Sequence, residues 1–141
     1  MKCYVGFSYH NSFVSKLIAT KLGKTYSHVF MLFECNGEML VLHATGKGVN
    51  ALSWDVFKKT NTIVKLVEIT DCQKIQYAFK YCVSKLGRPY GFLAIIAIGL
   101  GIHYQDGEKT LICSEYIARA LDIKFDKIDD LIDPSDIEGR L

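Results

Sequence analysis

The dipeptide Asn36-Gly37 is the feature that most constrains how this chain folds. It separates two apolar runs, residues 26–34 and 39–43, and Asn-Gly favours a two-residue hairpin turn because both residues tolerate positive φ angles. We therefore expect two adjacent antiparallel strands, the first of them buried on both faces. A turn centred on this dipeptide would place residue 45 opposite His28, which puts His43 at the diagonal position. Two of the four histidines of the chain are thus expected to meet on one hairpin.

The other apolar patterns predict a sheet with helices packed against it. In chain order they predict a strand at 3–9, a helix begun by Asn11 or Ser12 and ended by Gly23, a strand near 49–52 followed by a helical turn around Trp54, a strand at 63–69, a long helix capped by Asp71 and ended by Gly87, and a capped turn near 133–136. The apolar segment 91–102 is expected to be a second helix or a buried segment. The fold class is therefore α+β, an antiparallel sheet flanked by helices, in a single domain spanning residues 1–141.

The composition argues against several classes of protein. The five cysteines are odd in number, irregularly spaced and without a C-x-x-C pair, which argues against a disulfide framework or a cysteine-rich zinc site and for a reducing compartment. The net charge is only +2 and the basic residues are scattered, so a nucleic-acid partner is not expected. The N-terminus lacks the apolar core of a signal peptide, and segment 91–102 is too short to span a bilayer. We therefore expect a cytoplasmic protein with no transmembrane segment, and the sequence does not predict its oligomeric state.

Residues 111–121 predict a short amphipathic helix with Cys113 at its N-terminus. Backbone N–H groups and the positive end of the helix dipole converge there, which lowers the pKa of a thiol and offers donors to an oxyanion. The alternative is that Cys113 is a small buried apolar residue, as most free cysteines are. Cys72 and Cys82 fall on the predicted apolar face of the helix that follows Asp71, and we expect both to be buried packing residues.

The set formed by His28, His43 and Cys113 meets a known chemical need. A thiol nucleophile needs an imidazole to accept its proton, and that imidazole needs a polar group to fix its tautomer. The same residues also suit a metal site, although no fourth ligand has suitable spacing and no H-E-x-x-H motif is present. A buried histidine bonded to backbone carbonyls is the simplest alternative for His28.

Four short motifs, taken in order, resemble those of the permuted papain-like cysteine hydrolases. They are Tyr26-Ser27-His28-Val29, Val41-Leu42-His43-Ala44-Thr45-Gly46 with Gly48-Val49, Gly87-Arg88-Pro89-Tyr90, and Cys113-Ser114-Glu115. In papain the cysteine precedes the histidine, whereas in the permuted group the histidine comes first, as it does here. Within that group the chain is most similar to the YiiX/YaeF-like proteins, relatives of the NlpC cell-wall amidases and of lecithin:retinol acyltransferase. The resemblance implies a permuted papain-like, NlpC-type fold.

The resemblance also implies roles for individual residues. Cys113 matches the nucleophile of the family and His28 its base. His43 falls at the third, orienting position, where close relatives often have Glu and the NlpC-like enzymes often have His. Tyr90, in the Gly-x-Pro-Tyr turn, resembles a family tyrosine whose hydroxyl helps the oxyanion site; the alternative is a core aromatic residue whose hydroxyl finds a backbone partner. No metal or other cofactor is implied.

The implied function is that of a cysteine amidase or peptidase. It would cleave an amide bond of a peptide, a peptidoglycan cross-peptide or an acylated small molecule through an acyl-enzyme on Cys113. The apolar segment 91–102 offers an alternative, a lipid acyltransferase or thioesterase of the lecithin:retinol acyltransferase type. A non-catalytic binding module that has kept the fold is a third interpretation. Since no signal peptide is seen, a cell-wall substrate would suit a phage-encoded enzyme.

Overall fold

The computed structural model of the chain describes residues 1–10, 16, 19–20, 23–91, 111–124 and 133–141. The strands are β1 Lys2–His10, β2 His28–Cys35, β3 Glu38–Thr45, β4 Gly48–Ser53 and β5 Asn61–Ile69. The helices are α1 Trp54–Thr60, α2 Cys72–Ser84, α3 Cys113–Ala120 and α4 Pro134–Glu138. The predicted helix start at Asn11 or Ser12 and the apolar residues 92–102 lie outside the described residues.

The five strands form one antiparallel sheet in the order β4-β3-β2-β1-β5. Helices flank this sheet, so the predicted α+β class is confirmed. Local sequence explains where the helices begin: the Ser53 hydroxyl accepts from the Val56 N–H at the start of α1, and the Asp71 carboxylate accepts from two N–H groups at the start of α2. Asp133 caps α4 in the same way, as the sequence predicts.

The central hairpin has the predicted turn and the predicted register. Asn36 and Gly37 both have positive φ angles, 51° and 85°, as a two-residue hairpin turn requires. Pairing runs from Cys35 opposite Glu38 to Met31 opposite Leu42, where the ladder stops. The candidate site lies next to this end of the ladder.

Strand β2 is buried on both faces, as predicted, because a hydrophobic cluster lies on each side of the sheet. Val29 and Met31 belong to the cluster that includes α2 and α3. Phe30 packs with Phe57 of α1 on the opposite side. Because consecutive strand residues point to opposite faces, the side chain of His28 lies on the Phe57 side of the sheet.

The cysteines of α2 divide between core and surface. Cys82 is fully buried, as predicted, and its carbonyl accepts a hydrogen bond of 3.0 Å from the Tyr116 hydroxyl. The prediction for Cys72 is wrong, because this residue is exposed. It is the first residue of the helix, and burial of α2 begins only one turn further along, at Ile75.

Gly6 of β1 lies directly beneath the buried ring of Phe30, and we expect Gly6→Ala to destabilise the fold. A β-carbon on Gly6 would fall within the van der Waals radius of the Phe30 ring carbons, and the fully buried ring has no free space into which to move. Overpacking of this kind costs about 2–3 kcal/mol. Urea denaturation should show the loss, and Phe30→Leu in the Gly6→Ala background should restore part of it.

Gly139→Ala is the matched control for that substitution. Its β-carbon would lie 3.6 Å from the Ser135 carbonyl oxygen, an ordinary contact, so its urea midpoint should stay close to that of the unmodified protein. An unchanged midpoint for Gly6→Ala would contradict the packing described here.

Glu138 at the end of α4 joins three distant parts of the chain, and we expect it to make stability depend on acid pH. Its carboxylate accepts from the Tyr26 hydroxyl, from Lys65 Nζ at 2.9 Å and from Lys24 Nζ at 3.1 Å, and these bonds lower its pKa from 4.5 to about 2. Because this pKa is lower in the folded protein, the ionised carboxylate stabilises the fold at pH values above 4.5, the pKa in the unfolded chain. This stabilisation is lost as the pH falls from about 4.5 to 2. Glu138→Gln should therefore reduce the free energy of unfolding at pH 7 by about 1–3 kcal/mol, since both lysines are partly solvated.

The difference between the two proteins should shrink towards zero near pH 2, as measured by denaturant unfolding at several pH values. Asp55→Asn is the control, because the Asp55–Lys58 ion pair of 3.0 Å is largely exposed and should contribute far less. A constant difference across the acid range would show that Glu138 acts by packing and not by charge.

Candidate active site

Cys113 is the first residue of α3, and the chain before it fixes its position. Leu111 forms a parallel bridge with Tyr90, in which the Leu111 N–H donates to the Pro89 carbonyl at 3.3 Å and the Gly91 N–H donates to the Leu111 carbonyl at 3.4 Å. This bridge places Tyr90 beside the N-terminus of α3.

Glu115 has a structural explanation at the start of that helix. Its carboxylate accepts from the N–H of Ile112, the residue immediately before α3, at 3.4 Å. Glu115 therefore supports the beginning of the helix that carries Cys113, as expected for an acidic residue in a first turn.

The Gly-x-Pro-Tyr segment is held in turn by the start of β4. The Val49 N–H donates to the Arg88 carbonyl at 2.9 Å, and the Gly87 N–H donates to the Val49 carbonyl at 2.8 Å. Gly48 has a φ of +99°, and a β-carbon there would lie 2.6 Å from the Arg88 carbonyl oxygen. Only glycine allows this close approach, so Gly48 indirectly determines where Tyr90 sits.

Polar groups beside the Cys113 thiol act on its pKa. The Tyr90 hydroxyl lowers the pKa of the thiol, and the Cys113 side chain and main chain act in turn on the pKa of Tyr90. The backbone N–H groups of Val29 and Ser114 lower the pKa of the thiol as well. The hairpin register would pair Val29 with Ala44, but the ladder stops two pairs earlier, and the Val29 N–H instead acts on the thiol of Cys113.

The expectation that the helix N-terminus lowers the pKa of Cys113 is wrong. Its neighbouring N–H groups and the Tyr90 hydroxyl do act in that direction, but burial has the larger effect and raises the pKa. The residue is only 7% exposed. At rest, Cys113 is therefore a protonated thiol held among donors.

His28 and His43 meet as the hairpin register predicts. His28 Nε2 lies 3.1 Å from His43 Nδ1, and the two rings are tilted by 71°. Burial lowers the pKa of His28 well below its usual value, with further lowering by the charges of His43 and His10. Burial also lowers the pKa of His43, to about 4. Both rings are therefore neutral near neutral pH.

The structure thus brings the predicted residues together as two pairs, His28 with His43 and Cys113 with Tyr90. The histidine rings pack beside Phe57 on one side of the sheet, whereas Cys113 belongs to the cluster on the other side. No hydrogen bond joins the His28 ring to the Cys113 sulfur within the part of the chain that the structure describes. The two pairs are linked by the main chain, because Val29, whose N–H lowers the pKa of Cys113, follows His28 directly.

Two polar residues beside the histidines are absent from the sequence-based prediction. Ser8 lies opposite His28 in the β1–β2 register, and Asn50 lies opposite His43 in the β3–β4 register. The four side chains form a row across four strands on one face of the sheet. The turn at residues 45–48 carries the signal for Asn50, because a two-residue connection between Thr45 and Gly48 places Asn50 opposite His43.

Comparison with known proteins finds a match by structure but not by sequence. No protein-family model matches the chain, and no curated protein matches its sequence. The crystal structure of the metalloprotein YiiX from Escherichia coli O157:H7 superposes with a TM-score of 0.65, covering 99% of this chain and 79% of that one at 20% sequence identity. The chain has the fold of YiiX. The likeness confirms the resemblance to the YiiX group, and at this identity it concerns the fold alone.

The word metalloprotein in the description of YiiX raises the question of metal ligands in this chain. Within residues 1–10, 16, 19–20, 23–91, 111–124 and 133–141, no group of three or more His, Cys, Asp or Glu side chains is arranged to hold a metal ion. The metal site considered from the sequence, formed by His28, His43 and Cys113, is therefore not assembled there. Among the same residues, no helix is long and apolar enough to cross a membrane.

Proposed function

We propose that residues 1–141 form one catalytic domain of the permuted papain-like, NlpC-type class, a thiol hydrolase that cleaves an amide bond. The observation that carries the proposal is the position of Cys113 at the N-terminus of α3, where polar groups lower the pKa of its thiol against the effect of burial. These groups include the Tyr90 hydroxyl and the N–H of Val29, the residue after His28. The favoured substrates are a peptide or a peptidoglycan cross-peptide.

In the first step the neutral imidazole of His28 removes the thiol proton as the sulfur of Cys113 attacks the amide carbonyl. Because the pKa of the thiol is raised and that of the imidazole is lowered, proton transfer accompanies attack and no thiolate–imidazolium pair exists beforehand. The oxyanion that forms accepts hydrogen bonds from N–H groups at the start of α3 and from the Tyr90 hydroxyl.

In the second step the tetrahedral intermediate collapses and the C–N bond breaks. The leaving amine takes the proton from His28, which leaves a thioester on Cys113. Water then gives a proton to His28 and attacks the thioester carbonyl, and the C–S bond breaks. The carboxylic acid leaves and the proton returns to the sulfur, so that both groups regain their starting states.

The mechanism requires the free ring nitrogen of His28 to approach the sulfur. The end of the β2–β3 ladder at Met31 and Leu42 supports this movement, since ladder hydrogen bonds do not hold His28 to β3. A rotation of the His28 side chain from the Phe57 side of the sheet towards α3 on substrate binding would complete the set. We assign His43 the role of holding the other nitrogen of His28.

The direct test is to trap the acyl-enzyme on Cys113. The protein should first carry Cys35→Ser and Cys72→Ser, because both cysteines are exposed and would react with electrophiles. Burial raises the pKa values of Cys3 and Cys82 to about 12, so these two should stay unreactive. Incubation with muropeptides, and separately with p-nitrophenyl acyl esters, followed by acid quenching and peptide mass spectrometry, should find an acyl adduct on Cys113.

Each outcome of this experiment discriminates between functions. An adduct from muropeptides supports the amidase proposal, whereas an adduct from esters alone would favour the lipid acyltransferase or thioesterase alternative. The absence of any adduct or product with either substrate class would leave the non-catalytic binding module as the better interpretation. Apart from Gly91, the apolar segment that suggested a lipid substrate lies outside the described residues, so no contact favours that alternative.

A further inference from the structure

Asn50 lies next to the histidine pair, and its own hydrogen bonds fix which way its amide faces. Asn50 Nδ2 donates to the Gly48 carbonyl at 3.0 Å and to Thr45 Oγ1 at 3.1 Å. A carbonyl oxygen can only accept, so the group facing Gly48 is the amide NH₂. These two bonds use both amide protons, which leaves Oδ1 as an acceptor for other neighbours.

The strand register brings Asn50 next to His43. Asn50 and His43 are directly opposite in the β3–β4 register, so their side chains share one face of the sheet. His43 Nε2 is buried and has no hydrogen bond to any part of the chain that the structure describes. The Asn50 side chain raises the pKa of His43, which is the effect of an acceptor on an imidazolium.

The two neutral histidines can share protons in only two ways. Each neutral ring has one N–H, and the 3.1 Å contact between His28 Nε2 and His43 Nδ1 needs one donor and one acceptor. If His43 Nδ1 holds the proton, His28 carries its own proton on Nδ1 and its free lone pair is already used by His43. If His28 Nε2 holds the proton, its Nδ1 is bare and can accept a proton from a thiol.

We propose that Asn50 is a positioning residue that selects the second arrangement. With a small rotation of its amide, Oδ1 would accept from His43 Nε2–H, a bond that the structure itself does not contain. His43 Nδ1 would then be the acceptor, and His28 would carry its proton on Nε2. His28 Nδ1 is then unprotonated and available as a base. The catalytic meaning of this tautomer rests on the proposed function, whereas the tautomer itself does not.

Other groups around the pair are compatible with this arrangement. His10 of β1 lowers the pKa of His28 and so opposes protonation of the His28 ring. The Ser8 hydroxyl, opposite His28, is buried without a hydrogen bond among the described residues and can either donate or accept. Among the described residues, Phe30 packs against the His28 ring and Phe57 against both histidine rings, and neither phenylalanine titrates.

The test is to read the histidine tautomers directly from two-bond ¹H–¹⁵N correlation spectra of the full chain at pH 7.5. In the unmodified protein, His28 and His43 should both carry the proton on Nε2. Asn50→Ala should shift the tautomer ratio of both rings about fivefold towards the Nδ1 form, and should slow iodoacetamide labelling of Cys113 by a similar factor. Asn50→Asp keeps an acceptor at this position and should retain the Nε2 tautomers.

Asn61→Ala is the matched control for lost hydrogen bonds. The Asn61 amide also donates to a backbone carbonyl, that of Phe57 at 3.1 Å, and to a threonine hydroxyl, that of Thr60 at 3.0 Å. Its removal should leave both tautomers unchanged. Equal shifts in the Asn50→Ala and Asn61→Ala proteins would overturn the assignment, because they would reflect a general loosening of the sheet.

The inference and the proposed function fail in different ways. A proton on His43 Nδ1 in the unmodified protein would overturn the role of Asn50, even if muropeptides were hydrolysed. The expected tautomers in a protein that hydrolyses nothing would uphold that role and reject the hydrolase. Should Asn50→Ala not fold, the spectra of the unmodified and Asn50→Asp proteins decide the question alone.

Discussion

Replacing Cys113 by serine should lower kcat/KM for amide hydrolysis by roughly 10⁴-fold or more. The sulfur is the only group that we assign to attack, and a serine hydroxyl at the same position is a far weaker nucleophile for an imidazole base to activate. Serine is close to cysteine in size and can accept hydrogen bonds from neighbouring N–H groups, so the start of α3 should stay in place. The measurement is the rate of amine release from a muropeptide, with thermal unfolding recorded on the same samples.

Cys72→Ser is the control for this substitution, because Cys72 is exposed at the first residue of α2. It should change neither the rate nor the unfolding temperature. If the Cys113→Ser protein kept activity within tenfold of the starting protein, Cys113 would not be the nucleophile.

Replacing His28 by glutamine should cost about 10²–10⁴-fold in kcat/KM at pH 7 and should also change the pH profile. Glutamine can still donate to His43 Nδ1, but it cannot accept a proton from the thiol. In the unmodified protein, burial and then the neighbouring histidines lower the pKa of His28, so the base stays unprotonated as the pH falls. The acid limb of kcat/KM should therefore lie below the ordinary histidine value of 6.5.

His10→Gln separates this electrostatic effect from a loss of structure. His10 is exposed and lowers the pKa of His28, so its removal should move the acid limb to higher pH while the plateau of kcat/KM stays the same. If the acid limb persisted unchanged in the His28→Gln protein, the group whose titration it reports would not be His28.

The contact between His28 and His43 could be predicted because short-range geometry determines it. Asn36 and Gly37 adopt positive φ angles, a two-residue turn fixes the register, and the register fixes which side chains are diagonal. The helix starts at Asp71 and Cys113 were predictable for the same reason, since capping and amphipathic spacing act within a few residues.

Features that depend on the packing of distant segments were not predictable. Strand alternation places His28 and Val29 on opposite faces, but nothing local indicates which face α3 covers. The pKa of Cys113 depends on how deeply the sulfur is buried, and burial outweighs the donors that the helix start supplies. The exposure of Cys72 follows from how far along α2 the packing extends.

The end of the β2–β3 ladder gives this protein an internal reporter. The N–H of Val29, which in an ordinary hairpin would face the neighbouring strand, acts instead on the Cys113 thiol and lowers its pKa. Its chemical shift and its exchange with deuterated solvent should therefore respond to every change in that sulfur, whether ionisation, oxidation or acylation. A single backbone resonance would allow turnover at Cys113 to be followed without any added label.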